Sequence, residues 1–406
     1  MLKLIILTFI ILEFLFAKYL DYINEKNWSL PIPETLSDIY DEESYQKSKD
    51  YHQANKKLSN ISGWLTFVIT IVFIASGGFG ILDNFVRQLT GHYILQGLAF
   101  FGIIGIVSEI ISLPFSYYGT FVIEEKFGFN KMNLQTFILD KIKSLLLSVV
   151  IGGAIISALM WLHKTLGDNF WFYAWLLMTT ITIFFATFYT SIFVPLFNKL
   201  TPLENGSLRE KIEAFATKVG FPLTNIFVID GSKRSTKANA YFSGFGPKKT
   251  IVLFDTLLKE QTEDELVAIL AHEIGHYKKK HVIWSMLISV IHMGILLYVA
   301  GLFINNKTLA EALGATEPSF YIGIIAFSFL YSPISTVLGI AMNMFSRKNE
   351  FEADKYAKDQ YSAAPLVSAL KKLSKNNLSN LNPHPKYVFV HYSHPPLKER
   401  IAALIK

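Results

Sequence analysis

The stretch His272-Glu273-Ile274-Gly275-His276-Tyr277-Lys278-Lys279-Lys280-His281 leads directly into Val282–Ile304, a run without a single Asp, Glu, Lys or Arg. A polar segment with three histidines thus abuts an apolar segment of roughly the 20 residues needed to cross a bilayer. His272 and His276 stand four apart, which on a helix puts both imidazoles on one face, one turn apart. That spacing suits two corners of a zinc tetrahedron. Glu273 follows the first histidine and can serve as general base toward a water molecule at such a site. The helix start is signalled by Thr262-x-x-Glu265, a capping box, and no proline interrupts the chain from there to Ile304. With ten histidines in 406 positions, a chance H-E-x-x-H arises roughly once in a hundred such chains. The motif is strong, but two histidines alone do not make a catalytic site.

Working outward, the composition is 51% hydrophobic and 15% aromatic with only 17% charged residues, an unusual balance for a soluble chain. This is an integral membrane composition. The complete lack of cysteine excludes disulfide frameworks, thiolate nucleophiles, iron–sulfur clusters and cysteine-ligated zinc. In a membrane protein the net charge of +6 reports topology before it suggests a polyanionic partner, and no nucleic acid is expected.

Seven apolar runs are candidate spans: Leu4–Ala17, Ile61–Leu82, Tyr93–Tyr118, Ser144–Leu162, Phe170–Asn198, Val282–Ile304 and Ser319–Phe345. The first resembles a signal peptide, but no small-x-small cleavage site follows it, and Phe16-Ala17-Lys18-Tyr19 reads as a continuing helix. Seven crossings put 34 of the 38 Lys/Arg on one side; without the long 199–281 loop the ratio is still 21 to 4. By the positive-inside rule that side is the cytoplasm, and the N-terminus lies outside. The division is therefore five helices in 1–198, a cytoplasmic catalytic insertion in 199–281, two helices in 282–345 and a cytoplasmic tail in 346–406. Inside the insertion, Asn225–Asp230, Asn239–Phe245 and Thr250–Phe254 read as strands, with a turn through Gly246-Pro247-Lys248. The fold class is mainly α: a polytopic membrane protein with a small α+β metalloprotease-like domain.

A third metal ligand must come from the same side. His281 is nearest, but on an uninterrupted helix it sits about 140° around from His276 and faces elsewhere. Glu350 and Asp354, just beyond the seventh span, share a helical face at i,i+4, so one can ligate while the other orients a ligand histidine. Acidic pairs in a basic helix are most often a solvated face, and spacing alone leaves Glu350 open. Glu13, Glu109 and His292 fall in or near spans, where ionisable groups line water, pair locally or carry function. Pro114, Pro195 and Pro333 read as kinks, and Lys278–Lys280 marks the lipid interface.

Five blocks carry a resemblance: Phe121-Val-Ile-Glu-Glu-Lys-Phe-Gly-Phe-Asn130; Asn239-Ala-Tyr-Phe242 through Ile251–Leu258; His272-Glu-x-x-His276 with His281; Ser346-Arg-x-x-Glu350-x-x-Ala-Asp354; and His391-Tyr-Ser-His-Pro-Pro396 leading to Arg400. In this order they resemble the integral-membrane CAAX prenyl endopeptidases, zinc metalloproteases of the gluzincin type. The resemblance implies one zinc ion held by His272, His276 and Glu350, with Glu273 as base and Asp354 behind the ligands. It also implies seven helices around a water-filled chamber, a peptide substrate paired along Asn239, Ala240, Tyr241 and Phe242, and His394 and Arg400 near the substrate or the developing oxyanion. Edge-strand addition and a cationic donor suit those tasks. The chain lacks a dilysine ending and its 305–318 loop is short, so a bacterial inner-membrane homologue is expected, with the endoplasmic reticulum the expectation for a eukaryotic source. The substrate is then a prenylated or another membrane-associated polypeptide; a quality-control protease without prenyl specificity is the alternative, and a transporter or scaffold with an incidental metal site ranks below both. Oligomeric state is not legible.

Overall fold

The computed structural model describes residues 1–28, 30–243 and 249–406. Among the described residues, five continuous helical stretches are long and apolar enough to cross a bilayer: Glu42–Ala75, Tyr93–Glu124, Leu134–Phe197, His281–Phe303 and Phe320–Gln360. Seven spans were expected, and two physical features account for the difference. The Leu134–Phe197 stretch has 64 residues, or roughly 96 Å if straight, several times a bilayer core. It doubles back at Gly167, whose φ of 51° no helix accommodates, so that Lys143 Nζ donates to the Leu196 carbonyl at 2.8 Å. The N-terminal helix Leu2–Asn27 carries Glu13 and Lys18 and falls outside the apolar set, yet its charges are met by neighbours. Glu13 accepts from Ser332 at 2.7 Å and Lys18 donates to Asn60 at 2.6 Å.

Span boundaries also shift from those read in the sequence. The second helix begins at Glu42, where Asp41 caps it by accepting from the Ser44 N–H at 2.7 Å, far ahead of the apolar run. It ends at Ala75 because Gly77 turns the chain with φ of 72°, and a separate helix Gly78–Leu89 follows. Gly80 is required there: a Cβ would lie 1.9 Å from the Gly314 carbonyl oxygen, so only glycine lets the two loops touch. Residues such as Val72, Val149, Val150 and Leu302 point outward as a lipid-facing surface.

The domain outside the spans is built on a four-stranded sheet ordered β1-β2-β4-β3, with β1 Leu200–Pro202, β2 Leu223–Ile229, β3 Ala240–Ser243 and β4 Lys249–Phe254. β2 and β4 pair in parallel, while β1 and β3 flank them antiparallel. β1 was not anticipated: three residues ending in proline offer no alternation to read. The expected third strand is described from Ala240 to Ser243, and its remainder, with the Gly246-Pro247-Lys248 turn, lies outside the described residues. Against the sheet packs the motif helix Glu263–Lys278, buried on nearly every side. Its Leu266, Ala268, Leu270 and Ile274 share one core with Leu253, Ala357 and Leu366.

Two features of this packing set the site. The helix carrying the seventh span does not end at the membrane surface but runs unbroken from Phe320 to Gln360, 41 residues, carrying Glu350 and Asp354 with it. The motif helix, in contrast, is cut from the sixth span by Lys280, a non-glycine residue at φ of 58°. The start of the motif helix is pinned by Glu265. Its carboxylate accepts from the Thr262 N–H at 2.8 Å, Ser368 Oγ at 2.6 Å and Lys372 Nζ at 2.7 Å. Burial pushes the Glu265 carboxyl up, but these donors outweigh it and bring its pKa down to about 2.

Because the folded value lies below the unfolded one, the Glu265 contribution is complete above about pH 4.5 and is lost as pH falls toward 2. Glu265→Gln should therefore cost roughly 1–3 kcal/mol near neutrality, and thermal unfolding in detergent should show the gap from wild type closing as pH drops from about 5 to about 3. An equal gap at both pH values would contradict this assignment.

Candidate metal centre

The motif helix supplies His272 and His276, and the long helix supplies Glu350. The two Nε2 atoms are 3.2 Å apart. His276 Nε2 lies 3.2 Å from Glu350 Oε1 and His272 Nε2 lies 3.4 Å from Glu350 Oε2. These three side chains form a group whose ligand atoms all fall within 4.8 Å of one another. Glu350 is buried, and its Oε2 makes no hydrogen bond of normal geometry, with His272 Nε2 at 3.4 Å and Arg400 Nη1 at 3.6 Å, so a cation held among these groups would offset the cost of burying the carboxylate. Two imidazole nitrogens and one carboxylate are the donor set of a catalytic metal site with an open position. The residues fit a divalent cation.

The closeness of the two helices has a specific cause. Gly275, inside the motif, faces Ala353, between Glu350 and Asp354; a Cβ on Gly275 would come within 3.1 Å of the Ala353 Cα. Two small residues at one crossing let the backbones approach, so that side chains on either side of the contact converge.

Around this cluster, Asp354 Oδ1 lies 2.9 Å from His272 Nδ1, and Arg400 grips Asp354 with both carboxylate oxygens, Nε to Oδ2 at 2.8 Å and Nη2 to Oδ1 at 2.6 Å. Burial pushes the His272 imidazole down, but its bonds to Asp354 and Glu350 prevail and raise it to about 9. Glu273 is raised by burial, with the nearby histidines pulling the other way, which suits a base that must also give a proton back. Arg400 is engaged chiefly with Asp354, and its Nη1 is 3.6 Å from Glu350 Oε2. His394 is largely exposed, with Nε2 3.3 Å from Glu350 Oε1.

β3 pairs with β4 alone among the described residues, leaving its other edge open. Asn239, at its start, and Glu273 together line two cavities. One, of about 1360 Å³, is walled by Ile151, Phe185, Phe193, Tyr241, Phe242 and Val282. The other, of about 550 Å³, contains Ile269, Leu366, Leu370 and Leu373 beside His394 and Arg400. The sequence-expected residues are thus gathered at one place, with Glu273 where the two spaces meet.

His281 lies outside the ligand group, as expected, but its contact with His276 and one further group were not foreseen. On a continuous helix His281 would face away; the break at Lys280 instead brings its Nδ1 to 3.0 Å from His276 Nδ1. The approach to β3 is held by Lys237, whose Nζ reaches Tyr51 Oη at 2.8 Å and Glu124 Oε2 at 3.0 Å, with Tyr51 donating to Glu124. Arg234 fixes the same segment through Asp140 and the Phe197 carbonyl. Glu124 lies in the Phe121–Asn130 block, the one sequence signal for this latch. The ionisable groups within the spans pair locally: Glu109 with Lys141 at 2.9 Å, Glu13 with Ser332, and His292 with Tyr331.

Residues 202–406 match peptidase family M48, and residues 21–199 match the CAAX prenyl protease N-terminal domain of five membrane helices. The chain belongs to peptidase family M48. It is similar to CAAX prenyl protease 1 of Saccharomyces cerevisiae, 38% identical over 99% of this chain and 95% of that one. The Oryza sativa CAAX prenyl protease 1 homolog is 38% identical over 98% and 96%, and the Homo sapiens homolog 34% over 92% and 88%. A crystal structure of Ste24p from S. mikatae superposes with a TM-score of 0.94 at 36% identity, covering 100% of this chain and 99% of that one. The M48 chain described here is accordingly a multi-pass membrane metalloendopeptidase.

Gly275→Leu should drive the motif helix away from Ala353 and lower bound metal from one ion per chain by at least about tenfold, measured by elemental analysis of the purified protein. Full metal retention would show that the helix crossing does not set the site.

Proposed function

We propose that this protein is a zinc endopeptidase that cleaves prenylated polypeptides at the cytoplasmic face of the endoplasmic reticulum membrane, with His272, His276 and Glu350 as the zinc ligands. A bound zinc ion supplies Lewis-acid polarisation of the scissile carbonyl and lowers the pKa of water at the site. The chain's own groups do the rest. Glu273 takes a proton from the attacking water and returns it to the leaving amine; burial, which raises its pKa, favours that exchange. Asp354, held by both arms of its Arg400 pair, fixes the His272 ring so that Nε2 faces the ligand cluster. The open edge of β3 offers backbone groups to an extended peptide, beginning at Asn239.

The observation that carries the substrate assignment is the position of Glu273 between two cavities of different character. The larger, framed by helices of the membrane region, suits a long hydrocarbon chain; the smaller, with Leu366, Leu370 and Leu373, suits aliphatic side chains on the other side of the cleaved bond. The names of the relatives support the same reading, since those cited are CAAX prenyl proteases. They also bear on location. A bacterial inner membrane was expected from the chain ending and a short loop, but the named relatives come from rice, yeast and human. The proposed division of labour is a membrane frame in 1–198 and 282–345, with catalytic groups in 199–281 completed by 346–406.

A quenched fluorogenic peptide, with and without a farnesyl group, tests this. Glu273→Gln should lower kcat/KM by roughly 10²–10⁴-fold at unchanged zinc content, and Phe185→Trp should raise KM for the farnesylated peptide alone by narrowing the larger cavity. Equal turnover of both peptides by wild type and Phe185→Trp would remove the prenyl assignment, and full activity of Glu273→Gln would remove the base.

A further inference from the structure

Each histidine of the motif makes a contact through Nδ1 as well as Nε2, and the two contacts differ. His272 Nδ1 meets a carboxylate directly, Asp354 at 2.9 Å. His276 Nδ1 instead meets another imidazole, His281 Nδ1 at 3.0 Å, and His281 Nε2 reaches Glu352 Oε2 at 3.2 Å. His281 is buried, while Glu352 sits at the surface beside Lys348, whose Nζ is 3.8 Å from its Oε1. A row of four groups therefore runs from the surface to the ligand cluster.

Donor and acceptor chemistry allows one neutral arrangement of that row. An ionised carboxylate only accepts, so Glu352 requires the His281 proton on Nε2. A neutral His281 protonated there presents a lone pair at Nδ1. That lone pair requires His276 to carry its own proton on Nδ1, which leaves His276 Nε2 free to donate electrons toward His272 and Glu350. The reverse arrangement would put a proton on His276 Nε2, pointing into the ligand cluster, where it would block coordination.

We propose that His281 and Glu352 are positioning residues that lock His276 in its metal-binding tautomer and orientation, a carboxylate–imidazole relay standing where Asp354 alone serves His272. This deepens the zinc-site reading and rests on it. The device depends on the backbone break at Lys280, at φ of 58°, because His281 at the start of the sixth span faces His276 only when the motif helix and the span are separate. The relay also ties the membrane helix His281–Phe303 to the ligand cluster, since its first residue is itself part of the row.

The test is zinc affinity of the full purified chain in detergent, by competition with a chromophoric chelator, together with the visible spectrum of the cobalt-loaded form. His281→Phe keeps a ring of similar size without the acceptor; His281→Asn offers an amide oxygen near the position of Nδ1. The expected result is a 10–100-fold loss of zinc affinity and a shifted cobalt spectrum in His281→Phe, with His281→Asn within about threefold of wild type. Glu352→Ala, at the surface, should cost several-fold and is informative even if the ring replacement fails to fold. Wild-type affinity in His281→Phe would overturn the relay, as would an equal loss in the Phe and Asn variants, which would mean packing alone. Unchanged affinity in Glu352→Ala would remove the outer carboxylate from the row. A wild-type chain that binds no zinc would instead end the parent reading.

Discussion

The contact between Gly275 and Ala353 is the constraint on which the site depends. It lies inside both halves of the candidate metal centre, one residue before His276 and one before Asp354, so the approach of two backbones fixes where both sets of side chains meet. Burial of the motif helix in the core of the sheet-containing domain then holds it in place. The network of Asp354, Arg400 and His272 completes the arrangement with charge-assisted bonds between largely buried groups, where each is stronger than in bulk water.

That contact also links the chemistry to the membrane. Glu350 and Asp354 are carried on a helix that begins as a span at Phe320 and emerges without a break. The other helix of the pair is treated in the opposite way, interrupted at Lys280 just before it enters the bilayer. A helix that leaves its span unbroken thus meets a separate helix that ends just before the next span, and their contact is the one between Ala353 and Gly275. The open edge of β3 and the two cavities are arranged around the resulting cluster, so their placement follows from helix geometry.

Much of this was legible in the sequence where a signal is local. The apolar runs marked a multi-pass membrane protein, though not the number of continuous helices, and the four-residue spacing marked the pair of histidines, because both are local features of a single helix. The joining of Glu350 to that pair is a tertiary fact, and spacing alone left it undecided between a ligand and a solvated face; the resemblance of whole blocks tipped the balance. The contact of His281 with His276 was not foreseen because a left-handed backbone at lysine has no sequence signature of the kind glycine or asparagine provides. Helix ends were misplaced for a related reason: the apolar run at 61–82 marks the stretch that suits lipid, whereas Asp41 and Gly77 decide where the helix starts and stops. The latch of Tyr51, Glu124 and Lys237 joins three distant segments and leaves only the Glu124-Glu125 pair of the Phe121–Asn130 block to notice.

The central claim is that two imidazoles from one helix and a carboxylate from another bind a single zinc ion. X-ray absorption at the zinc edge, on the purified full-length protein with metal content measured in parallel, tests it most directly. The account predicts one zinc per chain with two imidazole nitrogens and the remaining donors oxygen, and loss of one oxygen-donor contribution in Glu350→Ala. A zinc environment with fewer than two imidazoles, or one left unaltered by that substitution, would contradict it.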